Sequence, residues 1–126
     1  SHEAVFVMDP ATLGFVYVNE GAVELTGYPR AELAGMTLAH LTPNLDTDAH
    51  RDIVDGLLAG GVDRIEFQTV VRRSDGSELD CDALMQVVEA GDEHWVVAFV
   101  RDVTERVRAE AALREVETEM AMLADR

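Results

Sequence analysis

An α+β fold is predicted: a five-stranded antiparallel sheet carrying short helices on one face, followed by a long C-terminal helix. Three observations predict it. Five short runs rich in β-branched and aromatic residues are separated by Gly, Pro, Asn and Asp; the last three runs are joined by connections short enough for hairpins; and residues 104–126 contain neither Gly nor Pro.

The first run, Ala4-Val5-Phe6-Val7-Met8, stops at Asp9-Pro10, where proline forbids a central strand to continue. Gly14 leads into Phe15-Val16-Tyr17-Val18, so the two runs form a hairpin around Asp9 to Gly14. Asn19 ends this strand and suits the N-cap of a helix over Glu20 to Thr26, which Gly27 stops. Tyr28-Pro29 opens a further short helical piece around Ala31-Glu32-Leu33, interrupted at Gly35. From Asp46 to Ala59 the spacing of Ile53, Leu57 and Leu58 predicts a longer helix, with Asp46, Thr47 and Asp48 as candidate caps and Gly60-Gly61 as its end.

Three strands follow, over Ile65–Arg73, Leu79–Val88 and Trp95–Val103. Ser74-Asp75-Gly76-Ser77 joins the first pair, and Asp-Gly between two β-rich runs is a strong hairpin signal; Ala90-Gly91-Asp92 joins the second. In the middle strand Leu79, Cys81, Ala83, Met85 and Val87 share one face, with Asp80, Asp82 and Gln86 opposite. Residues 1–103 therefore read as one domain and 104–126 as the start of a second element. In that element Ala109, Leu113, Val116, Met120 and Leu123 recur at spacings of four, three, four and three, a coiled-coil seam that needs a partner helix or, failing that, the protein's own sheet.

Composition narrows the function. The 126 residues carry a formal charge of −15, and all ten basic residues are arginine. That balance argues against nucleic acid as a partner, because such contacts draw affinity from cations on phosphate. No apolar run approaches the roughly 18 residues of a membrane span, no secretory leader is visible, and Cys81 is the single cysteine, so a cytoplasmic setting without membrane insertion is expected. Glycine-rich phosphate loops, metal-spaced histidines and nucleophile motifs are absent, and the carboxylates Asp46, Asp48, Asp52 and Asp55 read as a solvated helix face. An enzyme is not expected.

Four local patterns carry a family resemblance: Phe15-Val16-Tyr17-Val18-Asn19-Glu20; Leu25-Thr26-Gly27-Tyr28 with Glu32-Leu33-Ala34-Gly35; Arg72-Arg73-Ser74-Asp75-Gly76-Ser77; and Phe99-Val100-Arg101-Asp102-Val103-Thr104-Glu105-Arg106. In this order and spacing the chain resembles the PAS, or sensory-box, family. The resemblance implies a homodimeric signal-transduction module that senses a small molecule or mediates dimerisation. It implies a relay through the C-terminal helix to a linked output domain, most often a histidine kinase of a two-component system. The alternatives are a structural dimerisation domain without ligand and a redox or gas sensor holding haem or flavin.

The phase the family suggests places Leu38, Leu41, Ile53 and Leu57 opposite Phe67, Thr69, Ala83, Met85, Ala98 and Val100, around a filled core or a pocket for a small apolar or aromatic ligand. It turns Trp95, Val97 and Phe99 outward as an interaction face. Together with Leu113, Val116, Met120 and Leu123 they form the expected dimer surface. Asp102 and Thr104 become the relay, with Thr104 as the helix cap. No cofactor is expected. In the flavin-binding branch a cysteine preceded by asparagine stands three residues after the glycine matching Gly35, where this chain has Thr37-Leu38. His50 falls near the haem ligand of the oxygen-sensing branch, yet Gly56 and Phe67 stand where that branch has arginines, and a surface or capping histidine is the expectation.

Overall fold

The computed structural model describes residues 3–125. Its elements are β1 (Ala4–Met8), β2 (Phe15–Val18), α1 (Glu20–Thr26), α2 (Arg30–Leu33), α3 (Leu38–Leu41), α4 (Thr47–Leu58), β3 (Arg64–Arg72), β4 (Glu78–Ala90), β5 (Glu93–Asp102) and α5 (Thr104–Ala124). The five strands form one antiparallel sheet in the order β2-β1-β5-β4-β3. The α+β fold predicted above is the fold observed, with strand ends displaced by no more than two residues and with α3 as an additional single turn.

One face of the sheet is apolar because the alternation puts Ala4, Phe6 and Met8 of β1, Cys81, Ala83 and Met85 of β4, and Val96, Ala98 and Val100 of β5 on it. Leu33, Leu38, Leu41, Val54 and Leu57 from α2, α3 and α4 join them in one buried cluster. Phe6 and Phe15 stack within it, ring centroids 4.9 Å apart.

Side-chain caps connect parts distant in sequence. Asn19 Oδ1 accepts from Ala22 N at 2.9 Å, capping α1, and from Val5 N at 2.9 Å, tying the cap to β1. The other end of α1 closes on Gly27, left-handed at φ 75°, and on the β3–β4 hairpin. Arg73 donates to Leu25 O and Glu24 O, Ser74 N to Thr26 O, and Ser74 Oγ to Gly27 O. The last three carbonyls of a seven-residue helix and that of its cap are thus satisfied by two residues from a hairpin almost fifty positions away. The fit is close: a Cβ on Gly27 would lie 2.6 Å from Ser74 Oγ. In α4 the cap, of the three candidates, is Asp46, which accepts from Ala49 N at 2.7 Å. Arg51 on α4 donates to Pro10 O and Ala11 O, fastening the β1–β2 turn to that helix. In that turn the left-handed residue is Leu13, φ 66°, not Gly14, and its buried side chain offsets the backbone strain.

Candidate functional site

The inner face of the sheet closes on a void of about 10 Å³ lined by Phe6, Leu38, Leu41, Thr42, Leu45, Phe67, Thr69, Val71, Ala83 and Val100. Leu38, Leu41, Phe67, Thr69, Ala83 and Val100 are expected pocket residues; Ile53, Leu57, Met85 and Ala98 are not part of the lining. The void sits beneath α3 and the segment leading from it toward α4, so no α4 side chain reaches it. Met85 and Ala98 lie two positions along β4 and β5 from Ala83 and Val100, fully buried. Phe6, Thr42, Leu45 and Val71 complete the wall. Val71 was within reach of the period-two pattern that selects Phe67 and Thr69, whereas Thr42 and Leu45 occupy a loop that no periodicity describes.

The void holds roughly one water molecule. Ligand pockets begin at about 300 Å³. Its two hydroxyl groups are engaged: Thr42 Oγ1 donates to Leu38 O at 2.6 Å and Thr69 Oγ1 to Asn44 Oδ1 at 3.0 Å.

His50 corrects an expectation. It lies on α4 with 0% exposure, neither at the surface nor a cap, because the helix phase set by Asp46 turns it with Val54 and Leu57 toward the sheet. Its Nε2 is 3.3 Å from Met8 Sδ, and its Nδ1 has no hydrogen-bond partner. Burial first, and the neighbouring Arg51 charge second, push the imidazole pKa down to about 4. His50 is therefore a neutral core side chain at pH 7. Burial likewise raises the Cys81 thiol to about 12, with Asp102, Asp80 and Asp82 adding to the effect, so the thiolate is suppressed.

On the opposite face Trp95, Val97 and Phe99 point away from the helices. Trp95 and Phe99 are half-buried, while Val97 is 8% exposed, being flanked by Val7 of β1 and Gln86 of β4. Val5, Val7 and Leu84 extend this apolar surface.

The junction to α5 differs from the expectation at Thr104. The helix cap is Val103, without a capping side chain, because β5 ends at Asp102 and the turn into the helix falls one residue earlier than a Thr104 cap requires. Thr104 is the first helical residue. Its N and Oγ1 donate to Asp102 Oδ1 at 2.9 and 2.6 Å, and its Oγ1 accepts from Asp80 N at 3.0 Å. Val103 N donates to Asp80 O at 2.8 Å. Beyond Val107 every described residue of α5 is exposed, including Leu113, Val116, Met120 and Leu123, so the helix leaves the sheet and does not fold back over it. Among the described residues no helix is long and apolar enough to cross a membrane.

The arrangement of helices over one face of a β2-β1-β5-β4-β3 sheet can be compared with known proteins. The family pattern described as the PAS fold matches residues 1–103. The chain belongs to the PAS family. It is 22% identical over 113 residues to the methyl sulfide methyltransferase-associated sensor of Methanosarcina acetivorans, covering 90% of this chain and 11% of that protein. The chain spans about a tenth of the length of the curated relatives it matches. Among solved structures it resembles the PAS domain of an HTR-like protein from Haloarcula marismortui, TM-score 0.73 at 22% identity, covering 82% of this chain and 88% of that one. It also resembles a PAS domain from a two-component sensor histidine kinase, TM-score 0.64 at 23% identity, covering 79% and 84%.

Flavin and haem, the cofactors of the alternative reading, are both larger than this void. The void is smaller than either by more than an order of magnitude. Leu38, at the flavin-cysteine position, is part of its wall, and the His50 ring faces Met8 from outside the lining.

Proposed function

We propose that this chain is a non-catalytic, cytoplasmic PAS sensor module that pairs with a second copy and relays a signal through α5 to a linked output domain, a histidine kinase being the best candidate. Residues 1–103 are the sensor in this reading and 104–126 the start of the signalling helix. The observation that carries it is α5 itself: 21 helical residues with none buried, and the seam Leu113, Val116, Met120 and Leu123 in solvent. Helices in proteins draw most of their stability from packing an apolar face, and α5 packs none of its own, so the seam calls for a partner helix. The sensor relative from Methanosarcina acetivorans and the histidine-kinase PAS domain support the output assignment.

Pairing is tested by sedimentation of this chain. Replacing Val116 and Met120 by Glu places like charges in the seam and should convert a dimer to a monomer; an unchanged sedimentation coefficient would remove the seam from the interface. Relay is tested in the protein joined to its output region. One residue inserted after Arg106 rotates the seam by roughly 100° relative to the sensor. Output activity should change in level and in response to stimulus, and an unaltered response overturns helix-borne signalling. A second reading, a dimerisation module that binds no small molecule, is favoured by the size of the void. Native mass spectrometry of the purified chain separates the two, since a co-purifying apolar molecule appears as an added mass only in the first.

A further inference from the structure

The sheet places the void and the base of α5 back to back. Phe67, Ala83 and Val100 form a row across three strands, each paired to the next in register, and all three line the void. The adjacent row, Gln68, Asp82 and Arg101, is also in register and faces the other side of the sheet. There Asp82 Oδ2 is 3.1 Å from Arg106 Nη2 on the first turn of α5 and 3.9 Å from Arg101 Nη2. Arg106 Nε also lies 3.6 Å from Glu110, one turn further along the helix. Two residues earlier on β4, the Asp80 backbone holds Val103 N and Thr104 Oγ1. No hydrogen bond or ion pair ties α5 beyond Thr104 to β5 among the described residues.

Resting on the reading of α5 as the output helix, we propose that β4 is the strand that transmits, with Asp82 and Arg106 as the positioning pair that sets the direction in which α5 leaves the sheet. A displacement of Ala83 at the void moves its covalent neighbour Asp82 on the other face, and with it the guanidinium that steers the helix. The path runs through the thickness of the sheet and not along β5 from Ala98 and Val100. Signalling of this kind needs only a small bias between two helix directions, because packed helices offer discrete arrangements.

The test uses hydrogen exchange of the α5 amides from Val107 to Ala111 in this chain, with the β1 amides of Val5 to Val7 as internal reference. Asp82→Arg and Arg106→Asp should each speed α5 exchange about threefold, the range expected of an exposed pair, and the double exchange of charges should restore it. In 1 M salt, where screening acts over about 3 Å, the differences should vanish. Transmission is read by Ala83→Gly, which enlarges the void: an exchange change of about twofold in α5 is expected, and it should disappear when Arg106 is already Gln. Single variants that exchange like wild type, a charge swap that restores nothing, or an Ala83→Gly effect of equal size in both backgrounds would each overturn the proposal. If the exchange pattern holds while the insertion after Arg106 leaves output unchanged, the positioning pair stands and signalling through the helix does not.

Discussion

Acidification from pH 7.5 to 5 should remove about 2 kcal/mol of stability through His50 alone. The sign follows from the direction of the shift. Unfolded, the imidazole titrates near 6.5; folded, it titrates near 4, because the buried ring cannot carry a charge among Met8, Val54 and Leu57. Between those values the unfolded chain binds the extra proton, so stability is intact above pH 6.5, falls as pH drops toward 4, and levels below it after a loss of about 3 kcal/mol. His50→Leu should abolish this component and also remove the unpartnered Nδ1, leaving the variant the more stable protein at pH 5. Urea unfolding of both proteins across the pH range isolates the effect, since the many carboxylates titrate alike in each. Parallel curves for wild type and variant would show that His50 does not hold its proton off.

The second large effect belongs to Ala83. Its Cβ faces a void of about 10 Å³ between Phe67 and Val100. A benzyl group has nowhere to go without pushing those neighbours off their rotamers, and Ala83→Phe should cost about 3 kcal/mol, a large share of the 5 to 15 typical of a domain. Ala98→Phe, at a site with 0% exposure, should cost as much. Thermal unfolding measures both. A variant at Ala83 as stable as wild type would mean that the core opens readily, and the ligand-binding reading would then gain over the purely structural one.

The fold was legible because its punctuation is local. Asn19, Gly27, Asp46, Gly60 and Asp75-Gly76 each cap or turn the chain within a few residues of themselves, besides the distant contacts Asn19 and Gly27 also make, and their side chains or φ angles do there what their types imply. The site was legible only where a strand or helix period carried it. Ala83, Val100, Phe67 and Thr69 followed from alternation and Leu38 and Leu41 from the helical segments, both in the phase that the family resemblance implied. Thr42 and Leu45 were missed because a loop has no period. His50 was misplaced because its burial depends on which of three adjacent caps starts α4, a choice worth only tenths of a kcal/mol locally but one that turns the whole helix. The ion pair between Asp82 and Arg106 could not be read at all: it joins an exposed strand position to a helix whose direction is a tertiary property.

The sheet order has a consequence for the birth of the molecule. β1 lies between β2 and β5, and Ala4 pairs with Val100. Once β1 and β2 have been made they form a two-stranded hairpin that is marginal alone, its inner strand waiting for a partner encoded 96 positions later. At roughly 5 to 20 residues per second that wait lasts about 5 to 20 seconds. The last three strands, by contrast, are nearest neighbours joined by tight turns and can pair as soon as they emerge, since loop closure is cheap for them. Closure of the sheet therefore depends on β5 accepting β1 along its free edge, and until then Phe6 and Met8 remain uncovered by their own sheet.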